Sequence, residues 1–252
     1  MKRTLLVIFA FTTLGCADEL RGLMDIAAKA AERQIAVLAS VHCTETVVET
    51  KVNQKDKAEE RLRRSFDYLV MTDTDDGDVA VTESRIEQGT SKKVEAKPLL
   101  ASTGFATMML ILHPYYQNSF AFSDLGPVQQ DGLTWRKLGF EYRPGKRSPS
   151  ILRTGNREYP LAWKGEILLD KGTGRVLAIH ATLGSQLEEV GLVSLEASVR
   201  YGPAGKPELT EWLPVEAVID LKTAHQHWRN VHTFDGYKRF AVTTTEKVEI
   251  AK

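Results

Sequence analysis

An α+β fold, one large antiparallel sheet with two helices, is predicted by three features of this 252-residue chain. Apolar residues recur at three- and four-residue steps near its start, and long stretches of apolar/polar alternation fill most of the remaining sequence. One block around residue 105 is apolar on nearly every side. The length suits one domain with a sizeable core. At 42% hydrophobic and 26% charged residues, the composition is globular and excludes a disordered chain. The 33 basic and 33 acidic side chains balance, so no chain-wide positive field for nucleic acid exists. Two cysteines exclude a disulfide scaffold and a cysteine-rich zinc or iron–sulfur centre.

The chain opens with Lys2 and Arg3, an uncharged run from Leu5 to Leu14, and the small residues Gly15, Cys16 and Ala17. This is the layout of a secretory signal peptide over residues 1–17. As a helix the apolar run spans about 15 Å, half a bilayer core, which suits a cleaved signal better than a permanent span. Gly15 and Ala17 fit ordinary cleavage, leaving Asp18 as the new terminus. Thr13-Leu-Gly-Cys16 also reads as a degenerate lipobox, in which Cys16 carries lipid. Both routes predict an exported chain, periplasmic or secreted, or an outer-membrane lipoprotein through Cys16. No later stretch is long and apolar enough to span a membrane, and residues 18–252 read as a single domain. Cys43 has three readings: a small buried apolar side chain, half of an intermolecular disulfide, or a thiol nucleophile that lacks a neighbouring base.

Asp18 and Glu19 suit a helix start. Leu20, Leu23, Met24, Ala27, Ala31, Ile35 and Leu38 then form one apolar stripe that ends near Ser40. The β-branched series from Val41 to Val52 predicts the first strand. Leu62, Phe66, Tyr68 and Val70 share a parity and predict the second, and Asp76-Gly77 predicts a two-residue hairpin into Val79, Val81 and Ile86. A second helix is predicted from Leu99 to Leu112, ending at His113-Pro114. Leu138, Phe140 and Tyr142 alternate after Asp131-Gly132. Arg143 to Asn156 reads as a loop. Tyr159–Leu169 and Arg175–Leu183 flank a tight turn at Asp170-Lys-Gly-Thr-Gly174. The odd-numbered series Leu187 to Tyr201 and Leu209 to Leu221 predict two further half-buried strands, and Tyr237 to Ile250 a last one.

Chemistry-bearing motifs are sparse. Asp73 to Ser84 superficially resembles a calcium loop, but the turn glycine is misplaced and position twelve is Ser84, not Glu. His225 and His227 would share one strand face as weak metal candidates, with His232 on the opposite parity. Glu188, Glu189, Glu211 and Glu216 alternate with apolar residues and read as a wetted face, and Lys51 to Arg64 as a solvated charge run. No nucleophile elbow, P-loop or zinc-protease helix occurs, so no catalytic residue is assigned. Bulky, adaptable apolar side chains concentrate between residues 99 and 142. Phe105, Met108, Met109, Trp135 and Phe140 are therefore the candidate lining of a ligand cavity, with an ordinary core as the alternative.

Three segments carry a family resemblance: Trp163–Ile179, with its strand, Asp-x-x-Thr-Gly turn and second strand; Trp212–Val215; and Tyr237–Phe240. With the order of elements, they resemble the LolA/LolB lipoprotein-carrier superfamily of bacterial envelopes. The resemblance implies a strongly curved half-barrel of roughly nine to eleven strands, its helices on the concave side over an apolar cavity for acyl chains. It brings no catalytic residues and no cofactor. The expected function is that of an exported, non-enzymatic protein binding a lipid or other apolar ligand, with another envelope protein as a further partner. The alternatives are an envelope scaffolding module with a filled core, and an exported hydrolase anchored on His225 and His227.

Overall fold

The computed structural model describes residues 13–53, 55, 57–75, 78–89, 104–154 and 157–240, with backbone alone at 13–17, 74, 75, 78, 153 and 154. Residues 1–12 of the predicted signal peptide and the side chain of Cys16 lie outside the described residues. So do the Asp76-Gly77 tip, the first part of the second predicted helix and the end of the last predicted strand.

Helix α1 (Thr13–Leu38) buries Leu23, Met24, Ala27, Ala31, Ile35 and Leu38, the stripe read from the sequence. It runs through Asp18 instead of starting there, since the backbone of residues 13–17 is already helical. Strands β1 (Val41–Val52), β2 (Ala58–Asp75) and β3 (Asp78–Glu87) come next. The turn between β1 and β2 closes on Asn53, whose Oδ1 accepts from the backbone N–H of Lys55 at 2.8 Å and of Lys57 at 3.0 Å.

The second predicted helix is instead a short 3₁₀ helix, Met108–Leu112, followed by one α-helical turn, α2 (Pro114–Gln117). Pro114 forces His113 into an extended conformation that separates the two, and the His113 ring accepts the Tyr115 N–H as a cap.

The remaining strands are β4 (Phe120–Gln130), β5 (Leu133–Tyr142), β6 (Ile151–Thr154), β7 (Arg157–Pro160), β8 (Trp163–Leu169), β9 (Val176–Leu183), β10 (Leu192–Pro203), β11 (Trp212–Thr223) and β12 (His227–Arg239). Among the described residues, ten strands form one antiparallel sheet in the order β3-β2-β1-β12-β11-β10-β9-β8-β5-β4, with β3 and β4 at its edges. The first and last strands, β1 and β12, pair within its interior.

Three sequence expectations are corrected by these strands. The predicted loop 143–156 contains β6, which pairs with β7 as a separate hairpin. The single strand expected over Tyr159–Leu169 breaks at Leu161-Ala162. Leu187 stands outside the sheet strands, and a register shift between Leu192 and Ser194 moves burial onto Leu192 and leaves Val193 exposed.

The sheet presents one apolar face to α1 and the 3₁₀ helix. Leu195, Ala197, Val199 and Tyr201 of β10 join Leu213, Ala217 and Ile219 of β11 in a core that also holds Trp163, Ile167 and Ile179. Helix α1 packs on β1, β2 and β11, and the 3₁₀ helix on α1 and β9. The Asp170–Gly174 turn packs against the middle of α1, at Ile26 and Ala27. Asp170 Oδ1 accepts from Thr173 N–H at 2.7 Å, and Gly174 holds φ +71°. A Cβ on Gly174 would lie 2.6 Å from the Ile26 carbonyl, so glycine allows the turn to touch the helix.

Candidate functional site

A cleft of about 620 Å³ opens on this apolar face, within the size range of small-molecule sites. Its walls come from distant parts of the chain. Strand β3 gives Val81 and Glu83, the 3₁₀ region gives Phe105 and Leu110, and the segment leading to β8 gives Leu152, Leu161 and Trp163. Leu195 of β10 and Ile219 and Leu221 of β11 complete it. Strand β3 lines the cleft along four consecutive residues, Ala80 to Glu83, while Ile219 and Leu221 of β11 reach it by alternation. Tyr116 of α2 also lines the cleft, and its hydroxyl donates to the Val79 carbonyl at 2.9 Å, tying α2 to β3. Tyr116→Phe removes that bond and is expected to cost about 1 kcal/mol in urea unfolding.

Among the described residues, Glu83 is the one carboxylate lining this cleft. It ends a buried ionic chain that crosses β3, β2, β1 and β12. Arg85 grips Glu45 with both arms of its guanidinium, one of them at 2.8 Å. His232 Nδ1 lies 2.7 Å from Glu45 Oε1, and Glu83 Oε2 lies 3.0 Å from Arg85 Nη2. Alongside, Arg64 pairs with the buried Glu49. The registers Tyr68↔Arg85 and Val47↔His232 bring these side chains onto the inner face. Burial alone would raise the Glu45 carboxyl, but hydrogen bonds from His232 and Arg85 overcome it and hold the group below its ordinary value of 4.5. Arg85 is stabilised as a cation by Glu45 and Glu83. Burial raises the Tyr68 and Tyr201 phenols, so both stay protonated.

Of the sequence-predicted cavity residues, Phe105 lines the cleft. Met108 and Met109 are fully buried in the 3₁₀ helix beside it. Trp135 and Phe140 pack elsewhere. Trp135 stands 5.8 Å from the Trp212 ring and Phe140 5.9 Å from Phe120. Glu45, Glu49 and Glu83 were missed. Their signal was parity, since Glu45 and Glu49 alternate in step with Val41, Cys43 and Val47.

A second, polar pocket lies where the β1–β2 and β11–β12 turns meet, with His225 and His227 on its wall. His227 Nε2 hydrogen-bonds Asp220. Among the described residues, no three His, Cys, Asp or Glu side chains gather to hold a metal. Glu211 and Glu216 face Arg33 and Arg200, and Glu189 faces Arg157. Cys43 is free and buried, and burial pushes its thiol up to about 12, which keeps it protonated and unreactive. Among the described residues no helix is long and apolar enough to cross a membrane.

No protein-family model and no curated protein matches the sequence. Solved structures resemble its fold. A DUF1329-family protein from Desulfovibrio piger superposes with a TM-score of 0.52 at 12% identity, covering 90% of this chain and 95% of its own. A LolA-superfamily protein from Nitrosomonas europaea gives 0.44 at 11% identity, over 87% and 94% of the two chains. An outer-membrane lipoprotein-sorting protein domain from Vibrio parahaemolyticus gives 0.47 at 13% identity, over 88% and 93%. This chain shares its fold with the DUF1329 protein, and its structural neighbours include the superfamily that its hairpin segments resemble.

Proposed function

We propose that the chain is an exported, non-enzymatic envelope protein that holds a lipid or other apolar ligand in the cleft between its sheet and its helices. The observation that carries this reading is the cleft of about 620 Å³ and its lining of Phe105, Leu110, Leu161, Leu195, Ile219 and Leu221. Removing a ligand's apolar surface from water contributes about 25 cal/mol per Å², so one acyl chain suffices for measurable binding.

The half-barrel belongs to the same proposal. β3 and β10 stand five places apart in the strand order, yet both line one cleft. In a flat sheet, at about 4.8 Å per strand, they would be roughly 24 Å apart. A sheet bent around the cleft, with the helices on its concave side, brings them together. Export rests on the signal-like residues 1–17.

Full chain expressed in a bacterial host and purified without detergent tests the reading. Denaturing mass spectrometry of solvent extracts is expected to show lipid or another amphiphile released from the protein. Leu221→Trp adds bulk at a half-buried wall position and is expected to weaken uptake of the neutral dye N-phenyl-1-naphthylamine by tenfold or more. An empty extract together with no saturable dye site contradicts the proposal.

A further inference from the structure

Thr82, Thr107, Ser148 and Ser150 also line the cleft, and among these polar positions Glu83 is the charged one that a simple hydrocarbon would not need. The Glu83 side chain is 3% exposed, and neither of its oxygens accepts a hydrogen bond among the described residues. Arg85 lies close, but its fork is committed to Glu45, so the contact with Glu83 lacks hydrogen-bond alignment. Two carboxylates thus share one guanidinium. The Tyr68 hydroxyl and the Trp163 indole N–H are likewise buried without partners among the described residues, and Trp163 lines the same cleft. Buried polar groups are normally satisfied, and a carboxylate without donors is the costliest exception.

We propose that Glu83 is the head-group determinant of the cleft, accepting hydrogen bonds from the protonated amine of an amphiphile whose hydrocarbon body lies on Phe105, Leu161, Leu195 and Leu221. The inference rests on the proposed apolar-ligand cleft and adds a ligand class to it. An ammonium supplies the missing donors and carries a positive charge to the carboxylate. A fatty-acid carboxylate brings a second negative charge to an occupied site and supplies no donor. The hydrocarbon contribution is the same for both, so the head group decides between them.

Dodecylamine, dodecanol and dodecanoate are titrated against protein-bound N-phenyl-1-naphthylamine, below their micellar concentrations and near neutral pH. The amine is expected to displace the dye at least about tenfold more tightly than the carboxylate, with the alcohol between them. In Glu83→Gln the amine's advantage over the carboxylate is expected to fall to within about threefold, with circular dichroism reporting that the fold is kept. Equal affinities, or tighter carboxylate binding, overturn the head-group assignment while leaving the cleft reading intact. Failure of all three chains and of the dye itself overturns the cleft reading and this inference with it. If Glu83→Gln does not fold, the ranking of the three chains on the unmodified protein still decides.

Discussion

Arg85→Ala is expected to destabilise the fold by about 3–5 kcal/mol, a large share of a typical domain's total. The guanidinium is the cation between Glu45 and Glu83, and Glu45 is fully buried. Removing it leaves two carboxylates inside the sheet, with His232 as the remaining neighbour of Glu45. The loss has a pH signature. Because the folded-state value of Glu45 is depressed, its contribution is complete above the ordinary value of 4.5 and is lost as the pH falls through the depressed value. Denaturant unfolding of the unmodified chain should therefore show stability declining with acid in that window. In Arg85→Ala most of that decline should disappear. Pairing Arg85→Met with Glu45→Gln and Glu83→Gln should recover much of the loss, since an apolar or neutral replacement of the whole set avoids an orphaned charge.

Gly165→Ala is the second large effect expected, about 3 kcal/mol. Gly165 pairs with Ala181 across β8 and β9, and a Cβ there would overlap the His180 carbonyl and lie 2.9 Å from Ala181 Cα. Both contacts are backbone, so no rotamer change relieves them and the two strands must separate. The thermal midpoint is expected to fall by several degrees. An unchanged midpoint would mean that β8 and β9 do not approach as described.

Alternation made the sheet legible where one face is buried and the register holds. Phe66, Tyr68 and Val70, or Ala217 and Ile219, are buried as their parity requires. Alternation failed where the register slips, as at Leu192 and Val193. Strand β4 was hidden by Gly126 and Pro127, residues that usually end strands. Here Gly126 holds φ +91° beside a register shift, and Pro127 is tolerated because β4 is an edge. The 3₁₀ helix was hidden because five consecutive apolar residues carry no period.

The cleft was half legible. Phe105 stood out as part of an aromatic and Met-rich block, but closeness in sequence did not make that block one site. Trp135 and Phe140 sit on β5, beside the sheet edge opposite β3. Of the charged side chains on the inner face, Arg64 was read within a solvated charge run, while Glu45, Glu49 and Glu83 drew no reading, because strand patterns assign charge to solvent by default. Only pairing across strands shows that Glu45 meets Arg85 and His232, and such pairing is decided by register that no local pattern contains.

The central claim is that the cleft takes an apolar guest, and a fluorescence titration of the purified full chain with N-phenyl-1-naphthylamine measures this most directly. Saturable uptake of one dye molecule per chain, weakened tenfold or more in Leu221→Trp and competed by dodecylamine, is the predicted result. Uptake that never saturates, or that is the same in Leu221→Trp, would contradict it.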